Sequence, residues 1–259
     1  MIAALSELLS IGQDALWSGF VVFARVGAAM ALLPAFGEQT VPARVRLILA
    51  LMFTLVVLPA MAERIPPPVP GLGFAPILLT ETLAGLFFGM ALRLFVLALQ
   101  IAGTIAAQST SLSQIFGGSA GTDPQPAMGH VLLWGGLALA TILGLHVRLA
   151  EYLLTSYDLV PPGVILPAAL VAEAGLGEIG RSFALGFTLA APFVIASLVY
   201  NVTLGVINRA MPQLMVAFVG APAITAGGLI LLLIAAPFML QVWSGALGDF
   251  IADPFGGQG

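Results

Sequence analysis

The chain contains no cysteine, which removes both a disulfide framework and a thiolate site. Its 2 histidines and 12 scattered carboxylates offer no metal-ligand spacing, so no metal or other cofactor is expected. Charge is scarce as well: only 8% of the 259 residues are charged, and they form no basic patch, which sets nucleic acid aside as a partner. There is no basic n-region or small-residue cleavage site at the start, where Glu7 and Asp14 precede the first apolar run, so that run is expected to stay in the mature chain. What is abundant is hydrophobicity. At 60% hydrophobic residues and a mean hydropathy of +1.10, a water-soluble domain of this length is excluded, and the chain reads as an all-α, polytopic membrane protein.

Six apolar segments can be counted: Leu16 to Phe36, Leu47 to Ala62, Phe74 to Ala107, Met128 to Leu154, Phe183 to Ile207 and Leu214 to Leu247. A span needs about 20 residues, so the second is short and the third is long enough to bend or tilt. Pro34, Pro192, Pro222, Gly227-Gly228 and Pro237 interrupt several of them, which membranes tolerate where neighbouring protein or water satisfies the freed backbone. Arg44 and Arg46 follow the first segment and Arg209 the fifth. The loops after the second and fourth hold Pro66-Pro67-Pro68 and Glu173 and Glu178, with only Arg64 and the border residue Arg181 as cations. The positive-inside rule therefore places the first and fifth loops in the cytoplasm and both termini outside.

Two connections stand out. Asn208-Arg209-Ala210-Met211-Pro212-Gln213 separates the last two segments; arginine is costly in hydrocarbon and proline cannot continue the backbone ladder, so the chain is expected to turn there at an aqueous surface. The stretch from Gln108 to Gln125 is small, polar and nearly uncharged around an Ile115-Phe116 centre, as befits a loop tucked into a protein lumen. A flexible linker has the same composition. Within it, Gly117-Gly118-Ser119-Ala120-Gly121 fits the G-x-S-x-G pattern of serine hydrolases and resembles, shallowly, a rhomboid protease. The base is missing, because the fifth and sixth segments hold no histidine.

Ionisable residues inside or at the ends of apolar segments are functional candidates by default: Arg25, Glu81, Arg93, His146, Arg148 and Glu151. Arg148 and Glu151 are three apart and are expected to neutralise each other. Glu81 and Arg93 are twelve apart, a turn of roughly 120° around a helix, so each needs a partner elsewhere. Proton relay, as in a secondary transporter, is the competing role. Gly85 and Gly89, then Gly103 and Ala107, predict close helix contact.

In order and spacing, these motifs resemble the FliR and injectisome T-subunit family of export-gate proteins over nearly the whole chain. They are Ala24-Arg25-Val26, Pro34-Ala35-Phe36-Gly37 and Val41-Pro42-Ala43-Arg44-Val45-Arg46; Glu81 with Gly85, Gly89, Gln100 and Gly103; Gln108 and Asp123-Pro124; Gly144 and His146; Ser156-Tyr157; Val160-Pro161-Pro162-Gly163; and Asn208 to Leu214 with Gly220 and Pro222. One departure is Pro126, near where the family often has glycine after its Asp-Pro.

The resemblance implies a single non-enzymatic domain of bent antiparallel helical hairpins, P-like over 1–180 and Q-like over 181–250. It implies P-type and Q-type subunits (FliP, FliQ), an FlhB-type switch protein and an FlhA-type export protein as partners, and unfolded protein as the cargo of a pore in the bacterial inner membrane. The expected setting is the flagellar basal body, with an injectisome as the alternative. The loop at 108–125 is expected to plug the pore through Ser109, Ser111, Ile115, Phe116, Gly117, Gly118 and Gly121. Asn208, Arg209, Pro212 and Gln213 are expected to meet neighbouring subunits at the hairpin tip.

Overall fold

A computed structural model of the chain describes residues 2–38, 40–67, 74–110, 127–211 and 216–256. The described residues form seven α-helices and one 3-10 turn, and no strand. The helices are α1 (Ile2–Met30), α2 (Ala43–Met61, continued by the turn Ala62–Arg64), α3 (Ala75–Ser109), α4 (Ala127–Ile142), α5 (Leu145–Leu159), α6 (Ala168–Ala210) and α7 (Val216–Ala252). An all-α membrane protein is what the hydropathy requires.

Four stretches are long and apolar enough to cross a membrane, Ala43–Arg64, Ala75–Ser109, Ala168–Ala210 and Pro222–Ala252, and the pair α4 and α5 makes a fifth if it is one broken span. The count is below the six segments expected from hydropathy because the first fails the test. Helix α1 carries Gln13, Asp14 and Arg25 and stops at Met30, while Ala31 to Gly37 form turns in which Ala35 takes a left-handed φ of 65°. The fourth segment is split at Leu143-Gly144, where Gly144, at φ 83°, begins α5 without a capping side chain.

One boundary also differs. Helix α6 starts at Ala168, fifteen residues before the expected Phe183, so Glu173 and Glu178 lie in a helix and not in a loop. Glu178 is 2% exposed there. Pro59, Pro192, Pro222 and Pro237 sit inside α2, α6 and α7 without ending them.

The chain divides into two compact units. One comprises Met1–Arg93, Leu143–Glu178 and Asp249–Gly259; the other comprises Leu94–Ile142 and Ile179–Gly248. In the first, Val22 and Val26 of α1, Phe88 and Leu92 of α3, and Leu149 and Tyr152 of α5 are fully or almost fully buried. Phe88 meets Tyr152 edge-on at 5.8 Å, and Phe255, beyond the end of α7, stacks on Phe87 at 5.3 Å. In the second, α3 packs through small residues. A Cβ on Gly103 would lie 2.2 Å from the Gly129 Cα, and one on Gly136 would lie 2.5 Å from Leu99 Cδ1. The close contact that the glycine pattern predicted is therefore backbone against backbone at Gly103. Trp243 of α7, fully buried, donates its indole N–H to the Phe95 carbonyl at 2.8 Å.

Candidate functional site

The first unit is organised around a buried arginine. Arg25 of α1 is 1% exposed and faces Glu81 of α3, which is 0% exposed. Its Nε and Nη2 donate to Glu81 Oε2 and Oε1 at 2.9 and 3.0 Å, the paired fork geometry that makes arginine–carboxylate contacts strong. Its Nη1 donates to the Ser156 and Val160 carbonyls at 3.0 and 2.9 Å. Those carbonyls belong to the last turn and the C-cap of α5 and carry the negative end of the helix dipole; Ser156 also accepts the Val160 N–H at 3.0 Å. A cation there closes the helix as well as neutralising the carboxylate.

Three further contacts complete the centre. The Gly163 backbone N–H donates to Glu81 Oε1 at 2.9 Å, from a residue at φ 76° where a side chain would be strained. The guanidinium carbon lies 3.8 Å from the centroid of the Tyr157 ring, a cation–π contact in a dry setting. Gly85 brings α1 and α3 close enough for the pair to meet, since a Cβ there would lie 2.1 Å from the Arg25 carbonyl oxygen. Gly89, one turn on, does the same at Ala29, at 2.8 Å. Motifs far apart in the sequence thus meet at one point: Arg25, Glu81, Gly85, Ser156-Tyr157 and the Val160 to Gly163 turn.

A second pair stands in the same unit. Arg93 Nη1 donates to Glu38 Oε1 at 2.5 Å, with Glu38 8% exposed. Glu81 and Arg93 therefore each find a partner on another segment, as their twelve-residue spacing demands. Arg148 and Glu151 do not pair: both are exposed on α5, and neither takes part in an ion pair among the described residues, which leaves that expectation overturned. Water competes well for two exposed charges, so nothing drives them together. A third pair, Arg64 with Asp158, is more than half exposed on both sides.

The other candidate residues are placed as follows. His146 is exposed in the first turn of α5. Ser109 ends α3 and donates its hydroxyl to the Ile105 carbonyl at 2.8 Å, and Thr110 beside it caps the helix on Ala106 and Ala107. Ser111, Ile115, Phe116, Gly117, Gly118 and Gly121 lie outside the described residues. Asn208 and Arg209 are exposed in the last turn of α6, where the arginine suits the helix dipole. Pro212 and Gln213 lie outside the described residues. Tyr200 of α6 reaches across to the Gly220 carbonyl of α7 at 2.5 Å, tying the two helices together.

Sequence reasoning missed Glu38 as the partner of Arg93, and the role of the Val160 to Gly163 turn as a ligand to the ion pair. The signal for the second was its two prolines and a glycine next to a helix end, a turn whose backbone groups must go somewhere. Arg25 uses four of its five N–H donors and Glu81 accepts three hydrogen bonds, while the buried Tyr157 hydroxyl has no hydrogen-bond partner among the described residues. It holds three helices and a turn in register.

Comparison with known proteins bears on the same span. The model of bacterial export proteins, family 1, matches residues 16–250. The chain is 35% identical to the flagellar biosynthetic protein FliR of Caulobacter vibrioides, over 86% of this chain and 90% of that one. It is 30% identical to the FliR of Aquifex aeolicus, over 87% and 88%, and 27% identical to that of Escherichia coli, over 88% and 90%. Matched from within α1 to within α7, with the buried ion pair inside the matched region, the chain belongs to bacterial export family 1 and to the FliR family within it.

Proposed function

We propose that this chain is a core membrane component of the flagellar protein export gate, forming with P-type and Q-type subunits (FliP, FliQ) a pore for unfolded flagellar substrates. The observation that carries the reading is the 35% identity to a flagellar biosynthetic protein over nearly the full length of both chains. Each of the relatives named above is flagellar, which favours that setting over an injectisome. The bacterial inner membrane, in the basal body, is the location that goes with it.

The geometry is that of a scaffold with surface left to cover. Charges in the core of the first unit are closed off in pairs, whereas α6 and α7 expose Leu198, Val202, Val206, Ile230, Leu233 and Phe238. Exposed apolar rows of that extent suit lipid or the helices of neighbouring subunits. In this reading residues 1–180 are P-like and 181–250 Q-like, and the tip formed by Asn208, Arg209, Pro212 and Gln213 meets Q-type subunits or the FlhB-type switch protein, with the FlhA-type export protein close by. If Arg209→Ala and Gln213→Ala assemble and export normally, the tip has no such role.

The segment from Ser109 to Thr122 acts as the plug of the closed gate. Its small polar residues rearrange cheaply, and Ile115 and Phe116 provide a dewetted obstruction. Deleting Ser111 to Gly121 should raise the leak of ions or small molecules through the assembled complex; an unchanged leak rejects the plug.

A further inference from the structure

We infer that the core of the first unit binds one water molecule between the Tyr157 hydroxyl and the Arg25 guanidinium, and that this water ties the tyrosine into the buried ion pair. The site is independent of the export role proposed above.

Two donors at this place lack an acceptor. Tyr157 is 2% exposed, and its hydroxyl is shut off from solvent without a hydrogen-bond partner among the described residues. Because the chain itself encloses that hydroxyl, no neighbouring subunit reaches it either. Leaving it unpaired would be costly, and buried tyrosines find an acceptor as a rule. The hydroxyls beside it are occupied: Ser156 donates to the Leu153 carbonyl at 2.6 Å and Tyr152 to the Phe88 carbonyl at 3.0 Å. The second donor is on Arg25. Its Nε and one Nη2 hydrogen go to Glu81, and both Nη1 hydrogens go to the Ser156 and Val160 carbonyls, so the other Nη2 hydrogen is left over. The guanidinium carbon lies 3.8 Å from the centroid of the Tyr157 ring, which puts the two donors on facing groups within reach of one small acceptor.

The surrounding charges select the acceptor. An anion would face Glu81, whose carboxylate already balances Arg25, and a metal cation would face the guanidinium itself. A neutral water fits both. It accepts from the Tyr157 hydroxyl and from Arg25 Nη2, and it returns a hydrogen to the Val160 carbonyl, which among the described residues accepts only from Arg25 and so keeps a lone pair. An open cavity of about 300 Å³, lined by Phe88, Leu159, Val160, Leu166 and Phe255, leads up to that residue and gives water a way in. Hydration at this point also lowers the cost of holding two charges away from bulk solvent.

The test has two arms, both on the purified full-length protein with its co-purifying subunits. Electron cryo-microscopy at a resolution that shows ordered water should place a peak within about 3.2 Å of both Tyr157 Oη and Arg25 Nη2. A map that resolves other buried waters but has no peak there would overturn the site, and so would a peak that strengthens when chloride is exchanged for bromide, since the occupant would then be an anion. The second arm is the melting temperature of Tyr157→Phe, which keeps the ring over the guanidinium and removes only the hydroxyl. A hydroxyl bridged by water takes a hydrogen bond with it, so the variant should melt about 2–4 °C below wild type. A hydroxyl with no partner is better removed than kept. An unchanged or higher melting temperature would therefore overturn the assignment.

Discussion

Replacing Glu81 with Gln should cost the protein more than any surface charge change, and the reason is visible in the bonds Glu81 makes. It accepts two hydrogen bonds from Arg25 and one from the Gly163 N–H, all away from solvent. The neutral amide keeps the shape and one acceptor oxygen but leaves the Arg25 guanidinium without a countercharge in a site that is 1% exposed. Breaking one side of a buried pair costs about 3–5 kcal/mol, which for a chain of this size lowers the melting temperature by roughly 6–20 °C. Arg25→Met should cost at least as much, because it also strips the cap from the Ser156 and Val160 carbonyls. In the double variant Arg25→Met with Glu81→Leu no charge is stranded, so its loss should fall short of the sum of the single losses by about 2 kcal/mol. Thermal unfolding of the purified protein in one detergent, followed by intrinsic tryptophan fluorescence, reads all the variants. A Glu81→Gln protein within about 1 kcal/mol of wild type, or a double variant equal to the sum, would refute a charge-coupled centre.

Gly85→Val should prevent α1 and α3 from closing, because its Cβ would start 2.1 Å from the Arg25 carbonyl oxygen, and the expected readout is loss of folded protein after detergent extraction. Trp243→Phe keeps the ring packing but removes the indole N–H that donates to the Phe95 carbonyl, so a loss of about 1 kcal/mol should appear in the same melting assay. Arg93→Ala should destabilise clearly by leaving Glu38 8% exposed and unpaired, whereas Arg64→Ala should cost under about 1 kcal/mol, its pair being more than half exposed. Similar melting losses for the Arg93 and Arg64 variants would contradict burial as the deciding variable.

Hydropathy located most of the helices because each is a long apolar run: α3 and α7 begin and end within a few residues of the expected segments. It failed where polar residues are buried or apolar ones are not helical. The start of α6 was hidden by Glu173 and Glu178, since nothing local says that Glu178 is buried. The break at Leu143-Gly144 was hidden because a glycine between apolar residues reads as continuous span; only its left-handed φ distinguishes it. For the ion pairs, the helical angle between Glu81 and Arg93 showed that their partners lay elsewhere. It could not point to Arg25, 56 positions from Glu81, or to Glu38, 55 from Arg93, because those distances close only in the packed chain.

The claim that this chain works as one subunit of an export gate is tested most directly by its company. Affinity purification of the tagged full-length protein from its native membrane in mild detergent, with every co-eluting subunit identified by mass spectrometry, should bring down small hydrophobic P-type and Q-type proteins in a single complex. Isolation of the chain as a stable monomer that carries activity without them would contradict the account.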